Sequence, residues 1–364
     1  MINIFAKSPF IIEIDESNQV QTKVELYIWN NGASTPTSPT YTLSKLIPSS
    51  NVTATQYNVS PYILEFITFD SYNSGAYAST PTNIANSPRD QYADVTIKRY
   101  YKTISDTNYN LIDSTDYLAF AGYTFYENGS NYDYGDIHLD SGTYYYYDDG
   151  QGALGNLDYS RAVSSVRVIE DALSLTAYYT NLDTAATYSE AIVTEPMQVP
   201  LIYKNYYGDS VKLEIKDASL NVLATYISIP VTSCKYTPVK IDFVNKFGNF
   251  QRFWCFGASF EYTDVESKEH KILQSSITDY NTAQGQIKEY NIKGKSRIKV
   301  NTDWVDESFS STIKELMLSE KILVNGYPAK LNTKSIEMYK HINKKMINYE
   351  MDFTYNYNLI NSVI

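Results

Sequence analysis

The clearest fold signal of this chain is the stretch Ile347-Asn348-Tyr349-Glu350-Met351-Asp352-Phe353-Thr354-Tyr355-Asn356-Tyr357. Apolar and polar side chains alternate along it without a break, which is the period of a half-buried β-strand. A pairing shift of one residue would move every apolar side chain to the opposite face, so the pattern fixes which face is buried. The predicted buried side chains are those of Ile347, Tyr349, Met351, Phe353, Tyr355 and Tyr357.

A helix and two hairpins are predicted around this strand. The apolar residues of the helix fall on one face, with Asp306 or Ser308 available as its N-cap. Asn325-Gly326 is a strong signal for a tight hairpin turn, and a second hairpin is predicted at Asn343-Lys344-Lys345. The residues that define the helical face are Phe309, Ile313, Leu316 and Met317.

The rest of the chain alternates short strand-like runs with turns rich in Gly, Pro, Ser and Asn. Val24, Leu26 and Ile28 alternate with more polar neighbours in one such run. Regular short strands of this kind are typical of immunoglobulin-type sandwiches. The other predicted strands are Tyr41–Ile47, Tyr57–Phe69, Tyr92–Thr103, Tyr117–Tyr126, Val163–Ile169, a hairpin over Val211–Ile229, Val239–Val244 and Phe250–Tyr262.

The predicted fold is therefore mainly β, with two or more immunoglobulin-like β-sandwich domains and a C-terminal helix-plus-hairpin unit. Residues 1–85 are predicted to form an N-terminal β-sandwich, and residues 86–195 a β region rich in Tyr and Asp with long loops. Residues 196–280 are predicted to form a second β-domain, and residues 281–364 the compact C-terminal unit.

Composition excludes several classes of protein. The 364 residues include 36 Tyr but only 3 His and 2 Cys, so a metal centre rich in His or Cys is not expected. No apolar run approaches the roughly 18 residues needed to span a bilayer. The N-terminal stretch Met1–Ile14 lacks the features of a secretory leader, and none is expected. Cys234 and Cys255 are expected to be inert strand residues rather than a disulfide.

Charge is distributed unevenly along the chain. Residues 1–200 hold 9 basic and 23 acidic residues, a balance of −14, whereas residues 201–364 hold 21 and 18, a balance of +3. The acidic total argues against a general DNA-binding role. Two interpretations stay open: two domains with different surfaces, or oppositely charged faces that stack head to tail in an assembly.

The sequence contains no recognisable catalytic or metal-binding motif. An acidic stretch with Asp133, Asp136 and Asp140 offers oxygen ligands but not the spacing of a calcium loop, which favours a solvated loop. His138 and the other two histidines are far apart, and no P-loop, nucleophile elbow or dinucleotide fingerprint is present. We therefore expect a non-enzymatic protein without a cofactor.

Two sets of residues are candidates for an interface. A Tyr-rich stretch predicted as a long loop is interpreted in three ways: protein interface, glycan-stacking surface, or strand packed on its neighbour. A basic stretch from Lys288 to Lys299 is interpreted as a solvated strand, a seat for the acidic half of a neighbour, or a contact for nucleic acid in a channel. The candidate residues are Tyr132, Tyr134, Tyr144, Tyr145, Tyr146, Tyr147, Lys293, Lys295 and Lys299.

Three segments resemble virion proteins of Bacteroidota bacteriophages. They are Val244-Asn245-Lys246-Phe247-Gly248-Asn249-Phe250-Gln251-Arg252-Phe253-Trp254, Ser60-Pro61-Tyr62-Ile63-Leu64-Glu65-Phe66-Ile67, and the helix and hairpins from Trp304 to Ile360. Within this group the chain is most similar to neck-ring and tail-hub components of crAss-like phages. The stretch Asp70–Asp158 carries no such resemblance.

The resemblance implies a non-enzymatic structural protein of the neck or tail, made in the host cytoplasm. It implies a homo-oligomeric ring with closed cyclic symmetry, in contact with neighbouring tail, portal or ring proteins and with DNA that passes through. It carries over no catalytic residue and no membrane contact. The alternative function is a receptor-binding or carbohydrate-binding module of the tail, which rests on the Tyr-rich stretch.

Overall fold

The computed structural model shows a mainly β protein with several sheets and, among the described residues, two short α-helices. No helix in that part of the chain is both long and apolar enough to cross a bilayer. The structure describes residues 2–30, 33–47, 54–69, 82–83, 92–134, 137–138, 143–148, 165–168, 175–192, 197–200, 209–231, 235–273, 283, 285–337 and 346–360.

The chain divides into two units. The first consists of Met1–Thr232, Phe243–Phe253 and Ser308–Glu320. The second consists of Ser233–Asp242, Trp254–Glu307 and Lys321–Ile364. The four ranges predicted from the sequence stay a prediction.

The first eight strands and the first helix lie in the first unit. Alternating residues of β3 and β7 form the centre of the core, including Val24, Leu26, Ile28, Val95 and Ile97, all buried. The elements are β1 (Ile2–Phe5), β2 (Ile11–Ile14), β3 (Gln19–Asn30), β4 (Tyr41–Leu46), β5 (Thr55–Asn58), α1 (Ser60–Leu64), β6 (Thr82–Asn83), β7 (Tyr92–Thr103) and β8 (Asn110–Phe120).

These strands form a five-stranded sheet and a two-stranded sheet that contact each other. The larger has the order β1-β8-β7-β3-β4, and the smaller pairs β2 with β5. The Tyr57 hydroxyl of β5 donates a hydrogen bond to the Thr22 backbone oxygen of β3 at 3.0 Å. Ile12 and Ile14 of β2 are buried as well. The two sheets therefore share one apolar core.

The strand predicted over Tyr57–Phe69 is wrong beyond Asn58, because the chain turns into α1. Pro61 lies in the first turn of this helix. Proline lacks the backbone N–H that a strand ladder needs, and its fixed φ suits a helix start. The strand predicted over Tyr117–Tyr126 is also displaced, since β8 ends at Phe120.

A second group of eight strands follows, also in the first unit. The stretch predicted as a long loop between Asn128 and Asn156 holds two of them, so that prediction is wrong for these residues. The strands are β9 (Ile137–His138), β10 (Thr143–Asp148), β11 (Ser165–Val168), β12 (Leu175–Asn181), β13 (Thr187–Ile192), β14 (Met197–Pro200), β15 (Val211–Lys216) and β16 (Val222–Pro230).

The two five-stranded sheets repeat one arrangement of strands. The second has the order β10-β16-β15-β12-β13 and matches the first position by position. In each sheet the strand at one edge comes first in the sequence and pairs in parallel with the strand that comes last, β1 with β8 and β10 with β16. All other pairs in the two sheets are antiparallel. A smaller sheet of order β6-β14-β11-β9 accompanies the second group. β12 and β15 each alternate buried and half-buried residues, as expected for sheets with one packed face.

The segment Val244–Trp254 forms a turn and strand that are buried throughout. Its turn, in the first unit, is closed by the Asn245 side chain, whose Oδ1 accepts hydrogen bonds from the backbone N–H groups of Phe247 and Asn249, each at 3.1 Å. The Tyr123 N–H donates to the Lys246 oxygen at 2.8 Å. A Cβ on Gly122 would lie 2.5 Å from that oxygen, so only glycine allows this approach.

A seven-stranded sheet has the order β18-β17-β21-β22-β23-β20-β19. The predicted turn at Asn325-Gly326 is confirmed, with φ angles of 51° and 85°, and it joins β21 to β22. The strands are β17 (Val239–Val244), β18 (Phe250–Cys255), β19 (Phe260–Lys271), β20 (Ile287–Asp306), β21 (Ile322–Val324), β22 (Tyr327–Leu331) and β23 (Met346–Asn358).

The burial pattern predicted for β23 is confirmed over most of its length. Ile347, Tyr349, Met351 and Phe353 are buried, whereas Tyr355 is half-buried and Tyr357 is exposed. The apolar face therefore extends past the packed part of the sheet. The hairpin predicted at residues 343–345 lies outside the described residues.

Helix α2 (Ser310–Met317) forms where the apolar spacing predicts it. Its N-cap is Phe309, the last residue of a single 3₁₀ turn (Glu307–Phe309), so the caps predicted at Asp306 and Ser308 are wrong. The helix belongs to the first unit, whereas β20 to β23 belong to the second. The predicted grouping of helix and hairpins into one C-terminal unit is not confirmed.

Candidate functional site

The two candidate tyrosines before β9 have different environments. Tyr134 is half-buried, and its ring centroid lies 5.0 Å from those of both Phe5 and Phe247. Its hydroxyl donates a hydrogen bond to the Tyr123 backbone oxygen at 3.2 Å. Tyr132 is exposed and meets Tyr134 edge to face at 5.2 Å. Tyr134 is therefore held in the core, and Tyr132 offers its ring to solvent.

The other four candidate tyrosines lie in one strand. Tyr144 to Tyr147 belong to β10, which pairs in parallel with β16. Tyr144 is aligned with Tyr226, and Tyr147 with Ile229. Three interpretations were considered for this run: a protein interface, a glycan-stacking surface, or a strand packed on its neighbour. The backbone forms a strand paired with β16, which agrees with the third. The positions of the four side chains lie outside what the structure describes.

The three candidate lysines lie along β20, each beside carboxylates of neighbouring strands. Lys293 is aligned with Glu266 and Lys295 with Asp264, both on β19. The Lys299 ammonium lies 2.7 Å from the Glu350 carboxylate of β23, and this bond raises the pKa of Lys299.

Arg297 links the same two neighbouring strands. Its guanidinium lies 3.2 Å from the Asp264 carboxylate and 2.9 Å from that of Asp352. It also lies over the Tyr262 ring, 4.7 Å from the centroid. Opposite charges on adjacent strands stabilise one register, so the basic stretch is part of a cross-strand network rather than an isolated positive patch.

The surface that stands out is the pairing of β19 with the first part of β20, a feature that the sequence reasoning missed. We call Phe260–Lys271 together with Ile287–Lys299 the ribbon, because these residues pair with each other along their whole length. All of β19 is exposed, and so are the first seven residues of β20. The ribbon places six large apolar side chains at 41–62% exposure: Phe260, Tyr262, Val265, Ile287, Tyr290 and Ile292.

Both faces of the ribbon carry apolar groups. Directly paired residues share a face, and neighbours along a strand alternate. Phe260 and Tyr262 therefore lie on one face, and Val265 and Ile292 on the other. The sequence signal is weak because β19 lacks a continuous apolar face, and charged residues occur at both parities of the strand.

No metal centre is evident among the described residues, which include no cluster of three or more His, Cys, Asp or Glu side chains suited to an ion. Asp133 accepts hydrogen bonds from the Asn3 backbone N–H and side-chain amide at 3.1 and 3.3 Å. Asp136 and Asp140 lie outside the described residues, as do Asp149, His341 and Cys234. Cys255 is a free, buried thiol, and burial raises its pKa.

A comparison with models of known protein families finds no match for this chain, and a comparison with curated proteins finds none either.

Proposed function

We propose that this chain is a non-enzymatic structural subunit of a phage virion, a ring or hub component of the neck or tail. The observation that carries the proposal is the ribbon, which exposes apolar side chains on both faces. The resemblance of Val244–Trp254 and two other segments to virion proteins supports the same function. No cofactor is part of the proposal.

The ribbon is a surface suited to burial against another chain. A two-stranded ribbon is marginally stable by itself in water, and exposed strand edges invite pairing. Apolar patches of this kind mark interaction sites on soluble proteins. A contact between different faces of successive copies closes into a ring when the rotation between copies closes. The ribbon and its acceptor on the next protomer would supply such a contact.

The finer architecture is also part of the proposal. The first unit contains two repeats, one built on the sheet β1-β8-β7-β3-β4 and one on the sheet β10-β16-β15-β12-β13. We propose that each repeat is an immunoglobulin-like sandwich. The order β8-β7-β3-β4 corresponds to the G-F-C-C′ order of that fold, and β2 with β5 corresponds to its B–E pair. The second repeat has the equivalent β16-β15-β12-β13 order and the equivalent β11–β14 pair. Such modules recur in many assemblies and carry no reaction by themselves.

The proposed location is the virion neck or tail, after synthesis in the host cytoplasm. The proposed partners are further copies of this chain, and adjoining portal, tail or ring proteins. DNA passing along the axis is a further proposed contact for the basic side chains of β20. Because carboxylates of β19 and β23 lie beside those side chains, we expect this contact to be weak.

Two substitutions on one face of the ribbon test the proposal. Val265→Lys with Ile292→Lys should leave the fold intact, because both side chains are exposed, and should abolish higher oligomers. The control, Thr263→Lys with Ser296→Lys, adds the same charges to a directly paired position of the same face. Mass photometry of the wild type and both variants measures the result. The proposal would be overturned by a wild-type chain that stays monomeric at every concentration, or by a Val265→Lys, Ile292→Lys variant that assembles as well as the control.

One observation favours the alternative, a carbohydrate-binding module. A cavity of about 360 Å³ in the second unit is lined by Lys295, Lys330, Thr354, Tyr355, Asn356, Tyr357 and Asn358. It lies where the pairing of β20 with β23 is irregular, between Lys295 and Arg297. Tyrosine rings and amide groups together are suited to sugars.

A glycan array separates this alternative from the structural role. The alternative predicts binding to specific glycans that is lost in the Tyr357→Ala, Lys330→Gln double variant. It also predicts that the Tyr126→Ala variant, which changes an exposed tyrosine of the first unit, binds normally. The absence of binding by the wild type would remove the alternative.

A further inference from the structure

One side of the sheet formed by β19, β20 and β23 faces away from the core. Val300 and Met351 are aligned with each other across β20 and β23, and both are buried. Their neighbours Lys299 and Asp352 are also aligned with each other, and they lie on the opposite side, because side chains alternate along a strand. We call the side that carries Lys299 and Asp352 the outer face.

A bulge in β20 turns Trp304 onto the outer face. Asn301 is aligned with Glu350 and Trp304 with Asn348, so β20 has one extra residue between these two pairs. Without that residue, Trp304 would be aligned with the buried Ile347, and its indole would lie on the packed face. The bulge instead leaves the Trp304 side chain 60% exposed.

Side-chain hydrogen bonds hold this bulge in one conformation. Asp303 has a φ angle of 64°, which is unfavourable for a residue that has a Cβ. Its backbone N–H donates to Asn301 Oδ1 at 2.7 Å, and its Oδ1 accepts from the Trp304 N–H at 2.8 Å. The Tyr349 N–H donates to the hydroxyl of the buried Thr302 at 2.9 Å. Strained bulges that re-aim a side chain occur next to binding sites, so Trp304 is a candidate contact residue.

Two aromatic residues of β19 share the outer face with Trp304. Phe260 is aligned with Lys299 and Tyr262 with Arg297. Phe260 is 56% exposed and Tyr262 is 41% exposed. Phe260 and Trp304 lie roughly 13 Å apart along the strands, because a strand rises about 3.3 Å per residue. The outer face therefore offers separate aromatic rings rather than one continuous apolar patch.

Paired charges lie beside and between these rings. Lys299 forms an ion pair with Glu350, and Arg297 forms ion pairs with carboxylates on both neighbouring strands. Glu350 also accepts a hydrogen bond from the Asn301 side chain, and these contacts lower its pKa. Three basic and three acidic residues of the outer face balance: Lys295, Arg297, Lys299, Asp264, Glu350 and Asp352.

These charges decide which kind of partner fits the outer face. A protein partner would remove the ion pairs from water at a cost that their attraction repays only in part, and the cores of protein interfaces are depleted of charged residues. A nucleic acid would meet as many carboxylates as cations. The hydroxyl groups of an uncharged sugar both donate and accept, so they can replace water on either member of an ion pair. The apolar sides of sugar rings can pack on the exposed aromatic rings.

We propose that the outer face of the second unit binds an uncharged polysaccharide, with Trp304 as the main stacking residue and Phe260 and Tyr262 as further ones. The inference goes beyond the proposed function, whose test concerns the other face of the ribbon, with Val265 and Ile292. It also differs from the alternative function, because Trp304 does not line the cavity on which that alternative rests.

Affinity electrophoresis tests the inference. The chain is run in native gels that contain a neutral β-glucan, mannan or galactan, and at least one of these should retard the wild type. Trp304→Ala should weaken that binding at least tenfold without changing the melting temperature, because the side chain is exposed. The control Tyr327→Ala removes a ring of 58% exposure from the opposite side of the same sheet and should bind normally.

Tryptophan fluorescence gives an independent result. Trp304 is exposed, whereas Trp254 is buried and Trp29 is half-buried. Titration with an oligosaccharide cut from the retarding polysaccharide should therefore change the emission of Trp304. The Trp304→Phe variant should keep weaker, measurable binding but lose this change in emission.

Charged polymers and self-association distinguish the other partners. The inference would be overturned by a wild type that none of the three neutral polysaccharides retards, or by a Trp304→Ala variant retarded as strongly as the wild type. Stronger retardation by heparin or single-stranded DNA would also overturn it. Loss of oligomers in Trp304→Ala, measured by mass photometry, would assign the outer face to protomer contact instead. In each case the proposed function would stand, because its own test uses Val265→Lys with Ile292→Lys.

Discussion

The strands β3 and β19 both contain 12 residues, yet their environments are opposite. β3 lies between β7 and β4 and buries Val24, Leu26 and Ile28. Among the described strands, β19 pairs only with β20, and it is exposed at every residue. The core defines the register of β3, whereas cross-strand charge pairs define that of β19. The difference indicates that β3 serves folding, whereas contact of β19 with another chain is our proposal.

The largest expected effect is the loss of folding stability when a charge is placed in the core, compared with the same charge placed on the ribbon. Met351 is fully buried on β23, so Met351→Asp buries an unpaired charge and should cost about 4 kcal/mol of folding stability. Val265→Asp on the exposed ribbon should cost less than about 0.5 kcal/mol. Urea denaturation of both variants measures the difference. Similar losses in the two would show that the ribbon is packed against the rest of the chain.

Two glycines allow the cost of an unfavourable backbone conformation to be compared with the cost of steric crowding. Gly248 and Gly129 have φ angles of +75° and +76°, but a Cβ on Gly248 would lie 2.7 Å from the Gly122 nitrogen. Among the described residues, no atom beyond the adjacent residues of the chain would lie within 4 Å of a Cβ on Gly129. Gly129→Ala should therefore cost about 2 kcal/mol, the penalty of a backbone conformation (φ 76°, ψ −165°) that essentially only glycine adopts. Gly248→Ala should cost about 3 kcal/mol, because backbone atoms must also move. Thermal melting of both variants tests this, and equal shifts would contradict the close approach at Gly248.

The carboxyl group of Asp94, in the first unit, should make the folding stability depend on pH. Burial, and then the nearby Asp116, raise the pKa of Asp94 to about 6. The folded state therefore binds this proton more tightly than the unfolded state, so stability falls as pH rises from about 4 to 6, and the full penalty persists above that range. Asp94→Asn should raise stability by about 1 kcal/mol at pH 8, because partial solvation reduces the effect, and by little at pH 4.

Asp113 is the matched control for that experiment. Its hydrogen bonds to Arg99 lower its pKa, which is the opposite direction. Its contribution to stability is therefore present at neutral pH and is lost as pH falls through the lowered pKa. Asp113→Asn should destabilise the chain at pH 8 and have little effect at very low pH. Melting curves for both variants that shift in the same direction at pH 8 would contradict these assignments.

The smallest expected effect on folding comes from the lysines of β20. Lys293→Gln, Lys295→Gln and Lys299→Gln together should leave the free energy of unfolding almost unchanged, because all three side chains contact solvent. Their effect on assembly should be larger and kinetic, since long-range attraction is screened over about 8 Å at physiological salt. Light scattering should show slower assembly in the triple variant and in high salt. Assembly that is indifferent to both would mean that the charge asymmetry plays no part.

Local patterns predicted the parts of the fold that depend on neighbours in sequence. The alternation in β23, the Asn325-Gly326 turn and the apolar face of α2 each follow from a few adjacent residues. The strand predicted over Tyr57–Phe69 was wrong beyond Asn58, because apolar runs of that length suit either a strand or a helix and Pro61 favours the helix.

Non-local features were not predictable from one sequence. The parallel pairing of β1 with β8 joins residues that are more than 100 positions apart. The burial of Tyr134 depends on Phe5 and Phe247, which come from distant parts of the chain. The ribbon was not predicted, because its register depends on pairs between β19 and β20. In β19 by itself, apolar and charged residues do not alternate regularly.

The most direct test of the central claim is a low-resolution electron-microscopy image of the purified chain at concentrations where it self-associates. The account predicts closed rings with rotational symmetry for the wild type and for the Thr263→Lys, Ser296→Lys control. It predicts isolated protomers for the Val265→Lys, Ile292→Lys variant. Isolated protomers of the wild type at every concentration, or rings that persist in the Val265→Lys, Ile292→Lys variant, would contradict it.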